Sequence, residues 1–253
     1  MSLMFDLQSM IQAMHLLPAE MMGLFAFTIC SVAILLIRKF FNEIGLTLYI
    51  SIALIAANIQ VLKAGEYALF SEPVVLGTVT FASIFLAIDM LNEFYGSNAA
   101  RRAVYLGFIS SILVIALMIP ALGVKPLSLG ADFEFRFRSN EAHNAMLLLF
   151  LPIPSILIAS LSAYLISQYV DIWLYQKIRQ ITSEKKLWLR AFLSNITSSL
   201  LDNIVFSILA WKILAINPVS WYTLFWTYIV GTYTIRLLMG VIFIPILYIS
   251  KLL

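Results

Sequence analysis

The sequence predicts an all-α polytopic membrane protein with seven transmembrane helices, a six-helix core plus one N-terminal helix. Three observations carry that expectation. The chain is 62% hydrophobic and 11% charged, with a mean hydropathy of +0.97, where a soluble domain carries roughly 25% charged residues. Apolar runs recur along its 253 residues, most of them close to the ~20 residues that cross a hydrocarbon core. The basic residues fall in alternate connections between those runs, the pattern that sets topology. The whole of 1–253 is therefore read as one membrane domain. Its formal charge of +3 is scattered over short loops rather than gathered in a stripe, so the expected partner is the lipid bilayer and not nucleic acid. Cys30 is the one cysteine, which leaves no internal disulfide and no cysteine metal cluster.

Each element follows from length, flanking charge and breakers. Residues 1–20 have no Lys or Arg, unlike a signal peptide; with Met4, Phe5, Met10, Ile11 and Met14 they read as a short interfacial helix. The first span runs from Met21 to Ile37 and stops at Arg38 and Lys39. The second runs from Ile44 to Leu62 and carries Asn58 and Gln60. The third begins after Pro73 and closes at Tyr95 and Gly96, a glycine stop. The fourth covers Ala103 to Leu122. An external loop, 123–152, follows. In it Phe133, Phe135 and Phe137 alternate with Glu134, Arg136 and Arg138, the period of an extended strand, which places a hairpin, a flap or a loop on the membrane surface there. Met146 to Phe150 is too short to cross and is stopped by Pro152 and Pro154. The fifth span runs from Ile153 to Tyr175, the sixth from Leu187 to Leu214, and the seventh from Trp221 to Ile249, with Gly231, Gly240 and Pro245 as places to bend. Connections after the first, third and fifth spans hold Arg38, Lys39, Arg101, Arg102, Lys177, Arg179, Lys185, Lys186 and Arg190, and Lys251 follows the seventh. Those ends are expected in the cytoplasm, with the amino terminus outside and the carboxyl terminus inside.

Polar groups at membrane depth are few, and each is a functional hypothesis. At 100° per residue, Asp89 and Glu93 share a face of the third span with Thr78, Ala82 and Phe85. Tyr164, Ser167, Gln168, Asp171 and Tyr175 form one stripe on the fifth. Asn195, Ser198, Ser199 and Asp202 do so on the sixth, and Thr232, Tyr233, Arg236 and Gly240 on the seventh. Such stripes face one another or a wet cavity. Asp202 and Arg236 lie mid-membrane, as a structural ion pair, a ligand site or both. Asp89, Asn92, Glu93 and Asp171 lie nearer the inner face, Asp171 within reach of the basic residues that follow it. Asn58 and Gln60 are either interhelical glue or ligand contacts. Arg101 and Arg102 read as topology determinants, and Trp173, Trp188, Trp221 and Trp226 as interface anchors.

Three stretches, DMLNEFYGSNAARR at 89–102, ASLSAYLISQYVDIWLYQKIRQ at 159–180 and LWLRAFLSNITSSLLDNIVF at 187–206, resemble in order and spacing the signatures of the queuosine precursor transporter family, also called the vitamin uptake transporter family. The resemblance covers the second to seventh spans. It implies a bacterial inner-membrane carrier importing a 7-deazaguanine such as preQ0, preQ1 or queuine, with Asp89, Asn92, Glu93, Gln168, Asp171 and Asp202 as the positions to carry over. The chain departs from the pattern at Arg236, where the family often has Lys, near Asn195, where it often has Thr, at Asn203, where a Thr often follows the aspartate, and near Ser155, where it often has Arg. Such a base offers N1–H and a 2-amino group to a carboxylate and a 6-oxo group to an amide or Arg, and its flat ring stacks on aromatics. Glu93 or Asp202 is expected to take the donor edge, with Asn58, Gln168 or Asn195 completing it and Phe85 or Tyr164 stacking.

Spans two to four and five to seven form two three-helix units of opposite topology, which suggests an inverted repeat with the site between them and alternating access. The competing reading is a substrate-binding subunit of an ATP-driven vitamin importer, which needs a separate ATPase, since the chain holds no P-loop. An enzyme is not expected. No zinc motif is present, both histidines lie outside the spans, and no cofactor is called for. The oligomeric state is left open, a homodimer included.

Overall fold

The computed structural model describes residues 7–68, 74–128, 132–150, 154–183, 185–215 and 217–252; Met4, Phe5, Pro73, Pro152 and Ile153 lie outside them. The order is α1 (Leu7–Met14), α2 (Ala19–Gln60), a two-residue antiparallel pair β1 (Ala64–Gly65) and β2 (Val74–Val75), α3 (Thr78–Phe94), α4 (Ser97–Gly123), α5 (Phe133–Phe150), α6 (Pro154–Ile181), α7 (Leu187–Ile208), α8 (Trp221–Thr223), α9 (Thr232–Ile242) and α10 (Ile244–Ser250). Two stretches, Leu209–Ile213 and Leu224–Gly231, are wound as π-helix. Among the described residues, five helical stretches are long and apolar enough to cross a membrane: Ala19–Gln60, Ser97–Gly123, Ile156–Ile181, Leu187–Ile213 and Trp221–Ser250.

The first of these is folded on itself. Asn42 has φ 51° and ψ −134°, and a Cβ placed on Gly45 would sit 2.6 Å from Ile37, whereas residues eight apart in a straight helix are ~12 Å apart. The chain therefore reverses here, and Glu20 at the start of the first arm accepts a hydrogen bond from the Ala68 N–H beyond the second at 2.5 Å. The turn is held from three sides. Tyr95 donates to the Asn42 side chain at 3.3 Å, Arg102 pairs with Glu43 at 2.7 Å, and Arg38 lies 3.8 Å over the Phe94 ring while donating to the Ser250 carbonyl. The first two expected spans lie on the two arms, but the break falls at Asn42 rather than at Arg38–Lys39, which stay helical.

Side-chain burial inverts the pattern of a soluble protein. Ser83, Asn92, Ser167, Gln168, Asp171, Ser194 and Ser198 are fully buried, while Leu48, Ile52, Leu113, Leu117, Ile119 and Ile158 are exposed. An outer face this apolar suits hydrocarbon, and the polar stripes turn inward as their spacing predicts. Ile34, Leu46, Ile50, Leu54, Ile84, Ile88 and Leu91 form the apolar core where α2, α3 and α4 pack together. On the other side α6 packs along α7, which packs along α9, and α3 and α4 touch α6 across the junction.

Several sequence expectations are corrected. Residues 133–150 are helical, not extended. Phe133 and Phe137 stack at 6.4 Å, Glu134 and Arg138 pair at 2.5 Å, and Asp132 caps the Phe135 N–H at 3.3 Å. Each partner is four residues from its mate or at the helix start, so the alternation of types serves helical pairing. The fourth span starts earlier, at Ser97, putting Arg101 and Arg102 on the first turns of α4. The third starts at Thr78 rather than just after Pro73, because β2 intervenes. Arg190, assigned to a polar connection, lies on α7 and is 1% exposed.

Candidate functional site

The buried polar residues assemble into two groups at different levels of the bundle. The first surrounds a cavity of about 150 Å3 between the second arm of α2, α3, α6, α7, the π-helical stretches and α9. The Arg236 guanidinium pairs with Asp202 Oδ2 at 2.5 Å, the Ser167 hydroxyl donates to Asp202 Oδ1 at 3.1 Å, and the Phe81 ring lies 5.1 Å under the guanidinium. Asp202 is 3% and Arg236 16% exposed, so the cation reaches the cavity while the carboxylate is held at its wall. Asn203 donates to the Ile229 carbonyl at 2.7 Å and accepts from Thr232 at 3.0 Å. Those bonds tie α7 to the chain around Gly231, where the π-helical winding shifts side chains out of α-helical register.

Two aromatic groups bound the cavity. Trp211 and Tyr228, one from each π-helical stretch, stack at 4.9 Å with planes 29° apart. Phe81 meets Phe85 edge-on at 5.8 Å. Opposite, Asn58 accepts from Ser160 at 2.7 Å, joining α2 to α6, and Gln60 accepts from Thr80 at 2.8 Å. Gly77 makes this corner possible. Its φ is +88°, and an added Cβ would meet the Ala57 carbonyl at 2.9 Å, so only glycine lets α3 start against α2 here. A cavity of this size admits a small planar ring, and its wall supplies a carboxylate, a guanidinium, amides and aromatic faces together.

The second group lies where α3, α6, α7 and the end of α10 converge. Glu93 is gripped by Arg190 at 2.6 and 2.7 Å through Nη2 and at 3.1 Å through Nε. It also accepts from Tyr175 at 3.0 Å and faces Lys251 at 3.4 Å. Asn92 donates to the Ile172 carbonyl at 3.3 Å and accepts from Gln176 at 2.5 Å. Arg190 is 1% and Glu93 7% exposed, so this pair is sealed.

The sequence-derived candidates divide between these groups. Asn58, Asp202 and Arg236 line the cavity, with Gln60 at its rim and Phe85 one turn behind Phe81. Asn92 and Glu93 belong to the sealed group. Asp89, Gln168 and Asp171 are buried between them. Tyr164 is buried with its hydroxyl against Gly107 of α4, and Asn195 packs on Gly240 of α9. Sequence reasoning missed Trp211 and Tyr228, since nothing local marks an aromatic near a span end as inward-facing. It also missed Arg190 as the partner of Glu93, because the two stand 97 positions apart in the chain and only tertiary packing pairs them.

The family whose sequence model matches the chain, over residues 75–250, is described as "Putative vitamin uptake transporter". The chain is 34% identical over 222 residues, 87% of its length and 89% of the relative's, to a "Probable queuosine precursor transporter" of Bacillus subtilis (strain 168). It is 30% identical over 131 residues, 51% of its length and 48% of the relative's, to a protein of the same description in Haemophilus influenzae. It is 28% identical over 137 residues, 54% and 55% of the two chains, to the "Queuosine precursor transporter" of Escherichia coli (strain K12). No solved structure matches it.

Proposed function

The chain belongs to the vitamin uptake, or queuosine precursor, transporter family, and from that premise we propose that it imports a 7-deazaguanine precursor of queuosine across a bacterial inner membrane. The observation that carries the substrate assignment is the Asp202–Arg236 pair at the wall of the cavity beside Asn58 and the Trp211–Tyr228 stack. Asp202 accepts from N1–H and the 2-amino group, Arg236 or Asn58 donates to the 6-oxo group, and an aromatic face covers the ring. Glu93 is not given this task, because it lies in the sealed group rather than on the cavity wall, held by Arg190, Tyr175 and Lys251.

Counting the two arms of α2 and the 17-residue α3 as separate crossings gives seven spans, which puts the amino terminus outside and the carboxyl terminus inside by the distribution of basic residues. The second arm of α2 with α3 and α4 makes one unit, and α6, α7 and α8–α10 make the other. Each unit packs chiefly around its own helix pairs, α2 with α3 and α6 with α7, and the cavity between the units supports alternating access by rocking one against the other. The test is uptake of labelled preQ1 by cells expressing the chain, with preQ0, queuine and guanine as competitors. Uptake above empty-vector cells, abolished by Asp202→Ala, is expected. Uptake equal to the vector control overturns the function, and unchanged uptake by Asp202→Ala overturns the site.

A further inference from the structure

Between the cavity and the sealed group lies a third set of side chains that neither uses. Asp89 on α3 is 3% exposed, and Gln168 and Asp171 on α6 are 0% exposed. Asn92, three residues after Asp89, bonds to Ile172, which places Asp89 level with Gln168 and Asp171. Asp171 accepts from the Ser198 hydroxyl at 2.7 Å, but its other oxygen, Asp89 Oδ1 and the side-chain oxygen and nitrogen of Gln168 have no hydrogen-bond partner among the described residues. Gln168 sits one turn before Asp171 and Ile172 on α6, the helix that packs against α3 and α7, and its side chain is fully buried.

The neighbouring charges do not balance these acids. Arg190 is committed to Glu93, which Lys251 also faces, and Arg236 is committed to Asp202. Among the described residues, Glu93, Arg190 and Tyr175 are titratable groups around Asp89 together with Asp171, and no basic group forms an ion pair with Asp89 or Asp171. A buried carboxylate with no cation paired to it is costly to keep ionised. Gln168 suits either state of the pair, since its carbonyl can accept from a protonated carboxyl and its amino group can donate to an ionised one.

We propose that Asp89 and Asp171 form a proton-carrying pair, positioned by Gln168 and Ser198, that couples substrate import to inward movement of a proton. The proton enters from the outer water, resides as an O–H on one of the two carboxyls, and is released to the inner water without bonding to the substrate. The coupling rests on the transport reading above; the proton site does not.

The full chain, purified and reconstituted in liposomes, allows the two to be tested apart. Infrared spectra of the protein at neutral pH are expected to show the carbonyl stretch of a buried protonated carboxyl, lost in Asp89→Asn and Asp171→Asn and kept in Asp89→Glu. Its absence from the wild type, or its survival in both Asn variants, overturns the proton site whatever is transported. With labelled preQ1, an outside-acid gradient of about one pH unit is worth about tenfold in accumulation for one proton per substrate. Wild-type uptake is expected to rise with that gradient and to alkalinise the medium, with the ratio of uptake with and without the gradient falling to one in the Asn variants that retain measurable uptake. Uptake indifferent to the gradient overturns the coupling while leaving the transport reading standing. Absence of any preQ1 uptake overturns the transport reading and the coupling with it, leaving the infrared result to decide the proton site.

Discussion

Among the described residues the bundle holds two buried ion pairs of the same chemistry in different settings. Asp202–Arg236 borders a cavity, and its arginine side chain is 16% exposed. Glu93–Arg190 is closed over by Tyr175 and Lys251, and its arginine side chain is 1% exposed. A charge pair that still touches open space can exchange partners with a ligand, whereas a sealed one has already spent its hydrogen-bonding capacity on the protein. On the function proposed above, recognition belongs to the level of Asp202 and mechanical closure to the level of Glu93.

The strongest way to break this comparison is to remove one member of each pair and measure stability. Glu93→Ala strips the buried Arg190 of the carboxylate that takes three of its hydrogen bonds, and a loss of about 3–5 kcal/mol is expected. Thermal unfolding in detergent should show it as the larger drop, beyond that of Asp202→Ala, whose Arg236 can take water from the cavity. The double variant Glu93→Ala/Arg190→Ala should be less destabilised than the sum of its single variants. If Asp202→Ala costs as much stability as Glu93→Ala, the pairs do not differ in kind and the cavity-side pair is structural.

Much of this division was legible before the fold was known. Apolar run lengths and basic clusters located the spans, and the 100° periodicity placed Tyr164, Ser167, Gln168, Asp171 and Tyr175 on the one face of α6 that is turned inward. Asp202 and Arg236 were paired by depth alone, and they do pair. What periodicity does not carry is the identity of a partner on another helix. Glu93 shares its face with Asp89 by spacing, yet its charge is met by Arg190, which reads as a loop residue because Lys185 and Lys186 stand beside it. The reversal at Asn42 was also hidden as a conformation, since its only local sign was the charged interruption between two apolar runs. The π-helical stretches left no sign at all, and they are what bring Trp211 and Tyr228 together.

That aromatic pair sharpens the comparison on the cavity side. Trp211→Leu keeps an apolar side chain of helical character and removes a π face. The expected effect is a loss of ~0.5–1.5 kcal/mol in precursor binding, or about 2- to 12-fold in affinity, read by titration calorimetry on purified protein. A non-aromatic competitor of the same edge chemistry should be affected less. An equal loss for both would mean that Trp211 shapes the cavity without stacking.

The smallest expected effect comes from an ion pair outside both settings. Arg138 and Glu134 pair at 2.5 Å on α5, but their side chains are 75% and 71% exposed. In water such a pair gains little, because solvent screens both charges and holding two long side chains in one geometry costs entropy. Arg138→Ala should therefore lower stability by less than about 1 kcal/mol and leave preQ1 uptake at the wild-type level. The same substitution also tests where α5 lies. Among the described residues α5 has no buried side chain, so its helix is held by its own i,i+4 pairs and by Asn140, which exchanges hydrogen bonds with the Leu127 backbone at 3.1 and 3.2 Å. A loss several times larger would mean that Arg138 meets a charge the bundle supplies, which would bring 133–150 into the transport machinery and leave the two buried pairs as part of a longer series.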